Sequence, residues 1–272
     1  MKLDPTTSEW INLFTRWIHI FTAILWIGQT WLFTWLDGRL TQAEAALKTG
    51  ESAQVWMVHS GGFYVVEKKK RAELSRKLHW FRWEAALTWI SGMVLLVLVY
   101  YLGGALVDND VRELSVGAAT LISLGLLVVG WVVYDSICLT PLVKHEPAFG
   151  AIGYLLVVGL AFLLTHVFSG RAAYIQMGAM FGTIMAANVW MRILPAQKRM
   201  IGAIQDGKEV DTNLATRAKL RSKHNTFLVV PLVFTMISNH FPTATFGSEY
   251  AWVVLSALVL AGWIAARFIR RA

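Results

Sequence analysis

One cysteine, Cys138, stands in 272 residues. That excludes an internal disulfide and any zinc or iron–sulfur centre built on several thiolates. No Cys-x-x-Cys-His occurs, so no haem is attached covalently and any haem bound by this chain is b-type. Charge is scarce as well: Asp, Glu, Lys and Arg make up 15% of the residues, too few for an ordinary water-soluble domain. Ahead of the first apolar run, residues 1–9 hold Lys2 against Asp4 and Glu9, which is not the basic leader of a cleaved signal peptide. The first helix is therefore expected to stay in the mature protein. Internal repeats and low-complexity tracts are missing, which argues against solenoids and matched transporter halves.

What fills the chain is apolar. Hydrophobic residues reach 56%, Trp occurs 13 times and the mean hydropathy is +0.51. The class implied is an all-α integral membrane protein with a single polytopic domain over residues 1–272. Runs of spanning length lie near 11–36, 81–104, 115–138, 148–168, 172–194, 224–240 and 250–268, predicting a bundle of about seven transmembrane helices. Pro231 is expected to kink the sixth. Two long polar connections, 37–79 and 195–223, interrupt the bundle. Residues 39–49 read as a short amphipathic helix, and 55–66 as a segment too apolar for a free loop, folded back under the bundle with Gly61 and Gly62 allowing a turn or a close approach to a ligand.

Orientation follows from the cations. The 37–79 loop carries Arg39, Lys48, Lys68, Lys69, Lys70, Arg71, Arg76 and Lys77. The 195–223 loop carries Lys198, Arg199, Lys208, Arg217, Lys219, Arg221 and Lys223, and the tail adds Arg267, Arg270 and Arg271. Lys144 joins them, while Lys2, Arg112 and Arg171 fall on the opposite side. By the positive-inside rule the N-terminus is out and the C-terminus in, as in a multi-pass protein of a bacterial cytoplasmic (inner) membrane. The net charge of +8 is then a topology signal in contact with the lipid bilayer, not a nucleic-acid surface, for which no recognition fold is visible.

Depth sorts the seven histidines into groups. His19, His166 and His240 belong to the outer half. With Arg16 one helical turn before His19 and Arg171 just after His166, they offer axial imidazoles at depth and cations for haem propionates. They are the haem-iron candidates. The inner group comprises His59, His79, His145 and His224. His79, Trp80, Arg82, Trp83 and Glu84 open the second span; facing them in the inner half are Asp37, Asp135, Asn188, Arg192, Arg221, His224 and Asn225. General bases, cationic clamps, amides and aromatic plates suit a flat anionic heterocycle. The bland alternative for single members is an interfacial anchor or a histidine satisfied by water or backbone. Glu84, Asp135 and Asn188 nevertheless fall inside spans, where polar groups need a reason.

These segments carry a resemblance. Residues 17–37, His59 to Tyr64, Leu78 to Ala85, Gly182 to Val189 with Pro195 to Gln197, Lys223 to Thr226 and Ser238 to Pro242 resemble, in order and over most of the chain, the membrane domain of bacterial cytochrome-c-linked urate oxidase (urate hydroxylase). The shorter pattern of His19, Trp26 and Gly28 is similar to the first helix of membrane haem proteins related to protoporphyrinogen oxidase. The resemblance implies oxidation of urate to 5-hydroxyisourate, with electrons passed to a cytochrome c. Full-length relatives carry a further helix and a cytochrome c domain that this sequence lacks, so a separate external cytochrome c is the expected acceptor. The expected catalytic groups are His79, His224 and Glu84; the substrate would be held by Arg82, Trp80, Trp83, Arg221, Asn225, His59 and Asn188. Haem b would sit on His19 with His166 or His240, near Arg16 and Arg171. A second haem at the inner histidines stays open, because His224 and His240 lie about 24 Å apart along one helix. Two other classes stay open too: a haem b, quinol-linked electron-transfer subunit without urate activity, and a transporter.

Overall fold

The computed structural model describes residues 4–47, 52–68 and 78–271. Lys2, Lys48, Lys69, Lys70, Arg71, Arg76 and Lys77, part of the charge count above, lie outside them. The first helix, α1 (Pro5–Ala46), starts on an Asp4 cap whose carboxylate accepts from the Thr7 amide. Its 42 residues make a rod about 63 Å long, twice the hydrocarbon thickness of a bilayer. The short amphipathic helix expected at 39–49 is the end of this rod.

Next comes an antiparallel hairpin, β1 (Gln54–His59) and β2 (Gly62–Glu67). The all-α expectation is corrected here. A run rich in Val, Trp, Phe and Tyr prefers extended backbone, and Ser60 and Gly61, both at positive φ (49° and 76°), form the two-residue turn that hairpins favour. Ala53, Val55 and Val66 pack the hairpin base on Leu36 and Leu40 of α1.

The bundle continues with α2 (Trp83–Leu95), prolonged by a π-helical turn through Tyr101, then α3 (Val116–Leu139) and α4 (Glu146–Thr165). Next, α5 (Gly170–Ala187) runs through a second π-helical turn (Asn188–Ile193) into α6 (Leu194–Gln205) without a break. The last two are α7 (Thr212–Ile237), followed by a single 3-10 turn at Ser238–His240, and α8 (Ala251–Ile269). Among the described residues, six helical stretches are long and apolar enough to cross a membrane: Pro5–Ala46, Trp83–Tyr101, Val116–Leu139, Glu146–Thr165, Gly170–Gln205 and Ala251–Ile269. The segment expected to span 224–240 instead belongs to a helix beginning at Thr212, whose first three turns are cationic, so α7 stands outside that set.

The centre of the bundle is α5. Just over half of its apolar window is buried, 56%, against 28% or less in the other five spans. Small side chains let neighbours approach it closely, as in membrane helix pairs: the Thr235 side chain of α7 sits directly over Gly178. Where α7 crosses α8, the Pro231 ring lies on Gly262. Outward-facing Leu, Val, Ile and Phe side chains on α1, α3, α4 and α8 remain exposed, which is the surface a lipid-embedded bundle presents.

Candidate functional site

Both ends of the bundle carry polar side chains, and at one of them charged groups join a buried network. There the C-terminal turns of α3 meet the π-helical turn after α5 and the middle of α7. Asp135 of α3 is 7% exposed and takes two guanidinium groups. Arg221 Nη2 donates to Asp135 Oδ1 at 2.7 Å, and Arg192 Nε to the same oxygen at 2.9 Å, with Arg192 Nη2 closing on Oδ2. Arg221 is 5% exposed, whereas the Arg192 side chain is 42% exposed and forms the open flank.

Neutral groups complete the lattice. Arg221 Nη1 donates to Asn188 Oδ1 (3.3 Å); Asn188 Nδ2 donates to Tyr134 Oη (3.0 Å) and to Asn225 Oδ1 (2.8 Å); Asn225 Nδ2 reaches the Met185 carbonyl (3.2 Å). Tyr134 Oη also meets His224 Nδ1 at 2.8 Å, and the His224 ring stacks on Phe149 with centroids 4.8 Å apart. Arg221 lies over the Tyr134 ring at 5.0 Å. Three neighbouring contacts tie other elements to the same end: Lys223 with Glu146, Lys219 and Lys68 with Asp37, and Arg270 with Thr226.

The sequence reading named Asp135, Asn188, Arg192, Arg221, His224 and Asn225 for one inner cluster, and the fold brings these six together. Tyr134 and Phe149 were missed. Tyr134 adjoins Asp135 and ends a stretch of Trp and Val, so nothing in its pattern separates it from an interfacial anchor. The second-span group sits alongside rather than within the lattice. Trp83 packs edge-on to Trp190 (6.1 Å), next to Asn188 and Arg192 in sequence, and Trp80 packs with Ala85, Val189 and Leu194. Arg82 lies over Trp83 at 5.4 Å; its Nε and Glu84 Oε2 are buried atoms with no hydrogen-bond partner among the described residues. His79 stacks edge-on to Phe81, and His59 is exposed at the hairpin turn, bonded to Ser60 Oγ at 2.9 Å. Neither is hydrogen-bonded to the lattice.

His19 and His166 each have their own hydrogen-bond partners. His19 Nδ1 lies 2.9 Å from the Thr88 carbonyl and 3.1 Å from Ser91 Oγ, with the ring against Gly92, near the middle of α2. A carbonyl can only accept, so Nδ1 carries the proton and Nε2 keeps its lone pair. His166 belongs to the far end: its Nδ1 meets the Phe162 carbonyl at 2.7 Å, and it shares a cleft of about 490 Å³ with Arg171, Phe246 and Trp252. Arg171 in turn lies over Tyr100 at 5.7 Å, and Asn239, beside His240, donates to Tyr100 Oη at 3.4 Å. From Ser91 to Tyr100 is a rise of about 13 Å. Arg16, bonded to Asn12, is exposed. No cluster of three His, Cys, Asp or Glu suited to a metal occurs among the described residues.

Ionisable groups buried together inside an apolar helical bundle are costly, which makes this lattice the candidate site of a multi-pass helical protein. The model of the urate oxidase N-terminal family matches residues 5–272, and the chain belongs to that family. Membership points to urate-related oxidoreductase chemistry. No curated protein and no solved structure matches the chain.

Proposed function

We propose that this protein oxidises urate at the membrane, binding it at the Asp135–Arg192–Arg221 lattice and releasing electrons to a one-electron acceptor outside the chain, a cytochrome c. The observation that carries the reading is a charge count at a buried place. Two guanidinium groups share one carboxylate, leaving one positive charge in a lattice whose other members, Asn188, Asn225, Tyr134 and His224, are neutral donors and acceptors. Urate at neutral pH is a planar monoanion with carbonyl oxygens and ring N–H groups, and it supplies the missing charge and matching polar edges. The basic end faces the cytoplasm, with the N-terminus out; its concentration of Lys and Arg supports that assignment.

Entry is from the Arg192 flank. The anion takes over one of Arg192's bonds to Asp135, and Arg221 stays fixed by Asp135 and Asn188. Trp83 and Trp190 supply apolar faces for a flat ring. Oxidation of the urate monoanion with addition of water at C5 yields 5-hydroxyisourate, one proton and two electrons. His224, held by Tyr134 through Nδ1, accepts that proton on Nε2 and passes it to the solvent. The electrons reduce two equivalents of ferricytochrome c.

The test uses protein in lipid nanodiscs with urate and ferricytochrome c, following urate absorbance and cytochrome reduction together. Wild type is expected to couple the two at one urate per two cytochromes. Arg192→Ala is expected to weaken urate binding about 10- to 100-fold, the loss of one charge-assisted hydrogen bond. His224→Ala is expected to lower kcat with binding retained. Urate binding unaffected by Arg192→Ala, or kcat unaffected by His224→Ala, would overturn the site.

A further inference from the structure

The hairpin is patterned the wrong way round for a loop in water. Register pairs Trp56 with Val65 and Val58 with Phe63, so these four side chains share one face. They are 68%, 44%, 69% and 79% exposed. On the opposite face Val55, Met57 and Val66 are half-buried, with Val55 and Val66 packed toward α1, while Tyr64 is 51% exposed. A two-stranded hairpin is marginal by itself, and one that shows Trp, Phe and two Val to water adds a cost of exposed apolar area.

Its position names what covers that face. The hairpin base rests on Leu36 and Leu40, at the level where α1, far longer than a bilayer is thick, leaves the hydrocarbon. The aromatic side chains Phe33 and Trp35 just before that level are also exposed on α1. Beside it, Asp37 is shared by Lys68 and Lys219, a group with one excess positive charge at the same level. Aromatic side chains next to excess cationic charge are the pattern of interfacial anchors.

We infer that the β1–β2 hairpin lies in the headgroup region, its Trp56–Val58–Phe63–Val65 face inserted into the bilayer on the basic side of the bundle. The partner is the lipid surface, and the hairpin acts as a monotopic foot fixing the height of α1.

The test exploits the alternation of strands. Cys138 is buried, so an added surface cysteine takes an environment-sensitive fluorophore selectively, with the wild-type chain as background. Val58→Cys and Phe63→Cys report the proposed lipid face; Met57→Cys and Tyr64→Cys report the other. In nanodiscs of mixed zwitterionic and anionic lipid, labels at 58 and 63 are expected to be quenched by brominated acyl chains and to be roughly threefold less accessible to iodide than labels at 57 and 64. Iodide reaching all four labels equally, with no quenching by brominated lipid, would overturn the inference. So would protection at 58 and 63 that vanishes in discs holding a single protein copy, which would make the face a protein–protein contact.

Discussion

Replacing Asp135 by Asn keeps the shape of the lattice and removes its only carboxylate. Arg221 then holds a charge at 5% exposure with two amides and a tyrosine ring as company. Breaking a buried ion pair from one side costs about 3–5 kcal/mol, because the charge left behind stays desolvated. Arg192 suffers little, since its side chain is 42% exposed and water can take over. Asp135→Asn is therefore expected to cost about 3–5 kcal/mol, while Arg192→Ala costs about 1 kcal/mol or less. At about 2–4 °C per kcal/mol for a chain of this size, the first shift lies between roughly 6 and 20 °C and the second below about 4 °C. Thermal unfolding in nanodiscs, followed by tryptophan fluorescence, measures both. Asp135→Asn combined with Arg221→Met is the decisive control. An apolar side chain of similar length removes the stranded charge, so the double variant is expected to be more stable than Asp135→Asn alone. Equal and small shifts for Asp135→Asn and Arg192→Ala, or a double variant worse than either single one, would refute a buried lattice organised around Asp135.

Tyr134→Phe removes the acceptor for Asn188 Nδ2 and the partner of His224 Nδ1, and is expected to cost about 1–3 kcal/mol in the same assay. If His224 loses its orientation with it, kcat for urate falls while binding persists. Gly262→Ala places a methyl 2.9 Å from the Pro231 ring, where neither backbone can yield, and is expected to destabilise by about 1–3 kcal/mol, whereas Gly125→Ala, with open space around it, stays within about 0.5 kcal/mol or gains from helix propensity. Gly92→Ala pushes a methyl against His19 Cε1 at 2.9 Å; the expected result is loss of the His19–Thr88 bond, seen as a changed imidazole nitrogen shift by NMR.

The Asp135 lattice was legible because charge inside an apolar span is costly enough to need a partner. Asp135, Asn188, Arg192 and Arg221 stood out from their neighbours in the sequence, and alternating helix direction put them at one end. The surroundings of His19 were not legible, for a reason of register. His19 was placed by its distance from the start of an apolar run, but how far α1 slides along α2 is set by packing, here by the fit of the His19 ring on Gly92. The start of α7 was misplaced because Thr212 to Lys223 is polar, although Ala, Leu, Lys and Arg there are good helix formers. The hairpin left a readable mark, a β-branched and aromatic run divided by Ser60-Gly61-Gly62, which apolarity alone obscured.

The π-helical turn at Asn188–Ile193 has a bearing on how this site tolerates change in chain length. Such a turn holds one residue more than an α-helical turn, and the surplus rotates everything beyond it by about 100°. Asn188 and Arg192, at its two ends, both reach Asp135's lattice from the same stretch of helix. Excising a single residue between them would let an ordinary α-helix close with every backbone bond intact. Yet α6 would swing a quarter-turn, carrying Arg192 away from Asp135. Insertions and deletions are usually counted as loop events; here one codon inside an unbroken helix decides whether the Asp135 lattice closes.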